Sequence, residues 1–282
     1  MAAPAPYSGR GEQIMKPFNN LVKCTLAVMG VMLVAAAGFE APARAQSTPT
    51  IFQATLQEAG QLTAEISTED LEGILARGDT PVLDVRSPLE YAIAHIPGAI
   101  NIPEQEVARI MQLYFGLNAK IVLTCNGPFC GKSKRTSEQL ILAGYPSANL
   151  TRYQLGVPVW RALGNTVQTD LAGFLHILRH DHTAVFVDAR TPQEFASGTL
   201  RCAVNIQAGE ATAANDDGRL PKWDKGARVV VFANGPAAAK QVASEIAKKA
   251  YWNSSYFGGS LLDLRRAEVF DIESEGPCPG PN

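Results

Sequence analysis

Two tandem α/β domains, each a parallel sheet with helices on both faces, are what this sequence predicts, and two observations predict it. The chain is written twice. Asp84, Arg86, Pro88, Glu90, Ala99, Asn101 and Ile102 recur 104 residues later as Asp188, Arg190, Pro192, Glu194, Ala203, Asn205 and Ile206. Within each copy, short β-branched runs bounded by turn residues alternate with stretches of helical period, the pattern of β-α-β units. A length of 282 residues allows one large domain or two small ones. The repeat decides for two of about 100 residues, each large enough for its own core.

The elements follow in order. Met15 to Lys23 is basic, Thr25 to Phe39 is apolar, and Ala43-Arg44-Ala45 offers small residues for cleavage before Gln46. Residues 1–45 therefore read as a secretory signal peptide, with an apolar run too short to span a bilayer comfortably. The expected location is the periplasm, with no stable membrane anchor after cleavage. Residues 46–64 are polar and read as a linker or an edge extension of the sheet. The first domain, 65–166, opens with a helix capped by Ser67 and carrying Leu71, Ile74 and Leu75 at helical spacing. Pro81 to Val85 is a buried-type strand, Ser87 starts a short helix, and Ala99 to Ile102 is a second strand. A helix over Gln105–Tyr114 leads to the strand Lys120–Thr124. The second domain, 167–270, repeats this order with four extra residues near Asn215-Asp216-Asp217-Gly218, the strand Val229–Phe232 and a helix over Lys240–Lys249. Residues 271–282, rich in Gly and Pro around Cys278, read as a disordered tail.

Composition narrows the function classes. With 46% hydrophobic and 18% charged residues and a formal charge of −2, the chain lacks the basic excess that a nucleic-acid partner calls for. There is no Cys-x-x-Cys and no metal-spaced His cluster, so neither zinc nor haem is expected. Cys202 stands where the first copy has Gly98 and reads as a small buried filler.

The chemistry concentrates at Val122-Leu123-Thr124-Cys125-Asn126-Gly127-Pro128-Phe129-Cys130-Gly131-Lys132-Ser133. A strand delivers Cys125 at its end, a Gly/Pro loop follows, and Ser133 is placed to cap the next helix. Loop N–H groups and the positive end of that helix would then face the sulfur, lowering its pKa and activating it as a nucleophile. In the second copy Asn234-Gly235-Pro236 repeats Asn126-Gly127-Pro128, but Ala233 replaces the cysteine. Cys130 is open between a resolving thiol, able to form a Cys125–Cys130 disulfide, and a half-buried loop residue. Lys132 is open between binding an anion and lying solvated. His95 precedes Ile96-Pro97-Gly98 in a turn block and is not expected to act as a base.

These residues resemble the rhodanese family. Asp84 to Tyr91 with His95 to Pro103 looks like its first signature, Cys125 occupies its sulfur-carrying position, and Gly144-Tyr145 with Tyr153 to Gly156 and Trp160 resembles its closing signature. The loop is similar to the subtype Cys-x-Gly-Pro-x-Cys-x-x-Ser, longer than the common loop, and Ala94 and Leu155 stand where glycines are usual. The resemblance implies tandem rhodanese-like domains and a sulfurtransferase that carries sulfane sulfur as a persulfide on Cys125. Asn126, Gly127, Pro128, Phe129, Cys130, Gly131, Lys132 and Ser133 would form the active loop, with Asp84 and Arg86 holding its entrance. Donors would be thiosulfate, mercaptopyruvate or polysulfide; acceptors would be a thiol, cyanide or a protein; no cofactor is implied. A phosphatase or arsenate reductase would need Cys-x5-Arg, and Gly131 occupies the arginine's place. A non-catalytic redox or partner-binding module using the Cys125/Cys130 pair is the remaining alternative.

Overall fold

The computed structural model describes residues 50–267; the expected signal segment and tail lie outside them. The first half runs β1 (Ala64–Glu65), α1 (Thr68–Arg77), β2 (Val82–Asp84), α2 (Pro88–Ile93), β3 (Ile100–Asn101), α3 (Val107–Tyr114), β4 (Ile121–Thr124), α4 (Lys132–Leu142), β5 (Leu150–Tyr153) and α5 (Gly156–Ala162). The second runs β6 (Val167–Thr169), α6 (Leu171–His180), β7 (Val185–Asp188), α7 (Pro192–Ala196), β8 (Val204–Asn205), α8 (Ala211–Asp217), β9 (Val229–Phe232), α9 (Pro236–Ala247), β10 (Ser254–Phe257) and α10 (Leu261–Arg266).

Each half is a five-stranded parallel sheet, ordered β1-β5-β4-β2-β3 and, in the copy, β6-β10-β9-β7-β8. Side-chain alternation fills both faces. Val82 and Val122 pack with Leu71, Tyr153 and Trp160, while Leu83, Ile121 and Leu123 pack on the other side with Leu140 and Leu150. Within the described part of the expected edge extension, Ala64 opens β1, which pairs with β5, and Glu58 reaches Lys134.

The capping expected of Ser67 is made, and Ser87, expected to start a helix, caps one in the same way: each side chain accepts the N–H three residues on, closing a capping box. Thr191 repeats the Ser87 device. In α10 Asp263 closes a box with Ser260, and the buried Leu264 stands at the place of Trp160. Two expected starts are corrected. Helix α9 begins at Pro236 rather than Lys240, because proline in a first turn has no N–H to leave unsatisfied. Helix α4 begins at Lys132 with Gly131 as its cap, so Ser133 lies inside the first turn.

The halves are joined through α2. His95 and Gln168 exchange backbone hydrogen bonds at 3.0 and 2.9 Å, and Asp170 N–H donates to Ala92 O at 2.8 Å. His95 is buried and stacked on Tyr91 at 3.7 Å, and burial pushes its pKa down, so it sits neutral in the joint. Cys202 is corrected too: it is half-buried at φ +64° and disulfide-bonded, not a buried filler.

Helix α6 crosses α2 at Gly173, where an added Cβ would run into the Ala92 carbonyl. Backbone stands opposite, so neither side yields. Gly173→Ala is expected to lower the melting temperature by about 2–10 °C, as an overpacked contact does. Unchanged melting would show that the halves touch loosely.

Candidate active site

Strand β4 is central, and its register pairs Thr124 with Asp84 on one side and Tyr153 on the other. Cys125 therefore leaves the sheet at its carboxyl edge between two neighbouring strand ends, the position where open parallel sheets bind ligands. The thiol is fully buried, packed with Val85, Ile102, Leu123 and Leu140.

Its surroundings correct the expected activation. Cys125 Sγ donates to the carbonyl of Cys130 at 3.4 Å and lies 3.5 Å from Ser133 Oγ. Burial pushes the thiol up to about 11, and the Ser133 hydroxyl and N–H pull only part of the way back. The sulfur rests as a thiol because an apolar cluster and a carbonyl, rather than a ring of N–H groups, surround it.

Gln154 explains where the loop carbonyls point. Its Nε2 faces three of them, Gly127 O at 3.3 Å, Pro128 O at 3.4 Å and Cys130 O at 3.0 Å. Its Oε1 accepts from Ser133 Oγ at 2.9 Å and from Arg152 Nη1 at 2.7 Å. Arg152, fully buried, is anchored by Thr63 at 2.8 Å and by Glu65 at 3.5 Å. Sequence reasoning passed over both. Their signal was a pair of long polar side chains flanking Tyr153 at the end of the strand beside β4, where the Tyr153–Gly156 block begins.

Asp84 and Arg86 hold the loop's other side. The Arg86 guanidinium is forked onto Asp84 and also donates to Ala94 O at 2.7 Å and Asn126 Oδ1 at 3.1 Å. Asn126 donates in turn to Glu90, and Lys132 pairs with Glu90 at 3.2 Å, which accounts for that lysine. Burial raises the Glu90 carboxyl, but the Ser87 hydroxyl and N–H, with Lys132, outweigh it and bring it to about 2. Phe129 projects fully into solvent at the loop tip, Cys130 is half-buried, and Arg135 is drawn off to Glu104 on the surface. Gly156, at φ +64°, lets α5 touch the loop: a Cβ there would strike Gly127 N and Cys125 O. Among the described residues, no group of three or more His, Cys, Asp or Glu side chains is gathered as a metal would need.

The second half keeps the frame without the sulfur. Arg190 forks onto Asp188, Asn234 donates to Glu194, and Leu261 N–H donates to Ala233 O as Val157 N–H does to Cys125 O. The sequence profile of the rhodanese-like domain matches residues 67–163 and 172–267, more than half of the chain. The chain belongs to the rhodanese-like family. A helix-turn-helix-type transcriptional regulator of Mycobacterium tuberculosis is 33% identical over 87 residues, which span 31% of this chain and 37% of the regulator's length. Among solved structures, thiosulfate sulfurtransferase from Pseudomonas aeruginosa is 22% identical with a TM-score of 0.33, covering 78% of this chain and 46% of that one. The human single-domain sulfurtransferase is 25% identical with a TM-score of 0.28, covering 34% and 92%. This rhodanese-like pair thus joins a half with a cysteine at the central strand's end to a half with alanine there.

A thiol held near 11 stays mostly protonated through neutral pH. In a Cys130→Ser background, alkylation of Cys125 should climb about tenfold per pH unit from pH 7 to pH 9, since only thiolate reacts. A rate that levels off below pH 8 would show instead a thiolate already formed.

Proposed function

We propose that the protein is an exported sulfurtransferase that carries sulfane sulfur on Cys125, with the second half catalytically silent. The observation that carries this reading is the cysteine at the carboxyl edge of the central strand, under a loop tied by Gln154 on one side and Arg86 on the other. In the resting state the Cys130 carbonyl accepts the Sγ proton. Turning that carbonyl aside and releasing the proton to solvent leaves a thiolate facing the Ser133 hydroxyl and N–H at the start of α4.

The thiolate attacks the outer sulfur of a donor. A Cys125 S–S bond forms, the donor's bond to that sulfur breaks, and its electron pair leaves with the remainder, as sulfite if thiosulfate is the donor. The persulfide is an anion, and the Ser133 groups that stabilise the thiolate are within reach of it. Attack on the outer sulfur by cyanide or a thiol then breaks the persulfide S–S bond and returns the Cys125 thiolate. The basic-apolar-small order of residues 15–45 supports an oxidising periplasmic setting, where a free Cys125/Cys130 pair would also be open to disulfide formation.

The test is intact-mass analysis after separate incubation with thiosulfate, mercaptopyruvate and polysulfide. The parent protein and Cys130→Ser should gain about 32 Da, one sulfur atom of a covalent intermediate, and Cys125→Ser should gain nothing. A gain on Cys125→Ser that Cys130→Ser lacks would move the carrier to Cys130. No gain on any form would leave a non-catalytic module.

A further inference from the structure

Beside the loop, a cleft of about 250 Å³ opens where the halves meet, lined by Arg86, Asn126 and Arg161 from the first half and Arg228 and Trp252 from the second. Its charges are unevenly answered. Arg86 is taken up by Asp84, and Glu90 by Ser87 and Lys132. Arg228 gives its Nε to Asp181 at 2.9 Å. Arg161, at the end of α5, gives Nη1 to the neutral Asn253 Oδ1 at 2.7 Å. Its Nε and Nη2 are buried and have no hydrogen-bond partner among the described residues.

Nε and Nη2 form one edge of a guanidinium, two parallel N–H groups spaced for two oxygens of a single acid group. Leaving such donors buried and unmet costs stability, so a native protein that keeps them has a reason to. Burial, together with the positive charges of Arg228 and Arg86 nearby, holds the Arg161 guanidinium down at about 9, the direction expected of a cation without a counter-charge. The cleft is below the usual size of a pocket for a drug-sized ligand, and Trp252, Val157 and Pro158 give it an apolar wall.

We propose that this cleft is an anion-binding site in which Arg161 grips the carboxylate or oxyanion of a small molecule through Nε and Nη2, with Arg228 adding charge from the second half. The assignment stands on the cleft's own geometry and does not depend on what Cys125 does. It gives the silent half a definite part, because the site is complete only with Arg228, Trp252 and the Asn253 side chain that orients Arg161.

The test compares melting temperatures at matched ionic strength in sulfate, pyruvate and chloride. Sulfate or pyruvate, at several times its dissociation constant, should raise the melting temperature by about 2–4 °C over chloride. Sulfate alone would identify an inorganic oxyanion as the ligand class, pyruvate alone a carboxylate, and both a site that reads the two-oxygen edge. Arg161→Gln should lose the response. In chloride at low ionic strength it should melt no lower than the parent, since it removes an unanswered buried charge. Arg228→Gln should weaken the response without abolishing the fold. No anion-specific rise in the parent, or a full rise in Arg161→Gln, would overturn the proposal.

Discussion

The Asp84–Arg86 fork is the interaction on which most else is hung. One guanidinium at the end of β2 reaches its carboxylate, the carbonyl that ends α2 and the first side chain of the cysteine loop. Both groups are buried, so breaking the fork would strand a charge, which is far more costly than never having had one. The chain repeats the device at Asp188–Arg190, where there is no cysteine to serve. Its presence there argues that it fixes the sheet's carboxyl edge first, and that the cysteine loop is built on an edge already fixed.

A second tie works from the opposite side. Gln154 gathers three loop carbonyls, and Arg152 behind it fixes which way that amide points. The result is a closed loop over a protonated, inaccessible thiol. Reactivity is therefore conditional on the loop's opening, and the loop's exposed Phe129 is the side chain most available to be pushed by whatever approaches.

Much of this was legible in the sequence because it is local. The Asp-x-Arg blocks, with the Pro and Glu that follow each at fixed spacing, and the β-branched runs each lie within about ten residues, and their recurrence gave two domains and the strand at whose end Cys125 sits. What was not legible depends on direction or on distance along the chain. Whether the loop shows N–H groups or carbonyls to the sulfur is decided by Gln154, some 30 residues on. Ser133 reads as a cap but is displaced by Gly131 into the first turn, where it faces the thiol instead. Nothing local in the sequence marks Arg161, whose surroundings include Asn253 and Arg228 from the other half and whose Nε and Nη2 are left buried and unmet.

The central claim is that this duplicated chain carries sulfur at one place. The most direct measurement is the cyanide-labile sulfane sulfur bound per chain after saturation with a donor and removal of the excess. The account predicts about one sulfur atom per chain, the capacity of a single persulfide. Two per chain, or none with any donor, would contradict it.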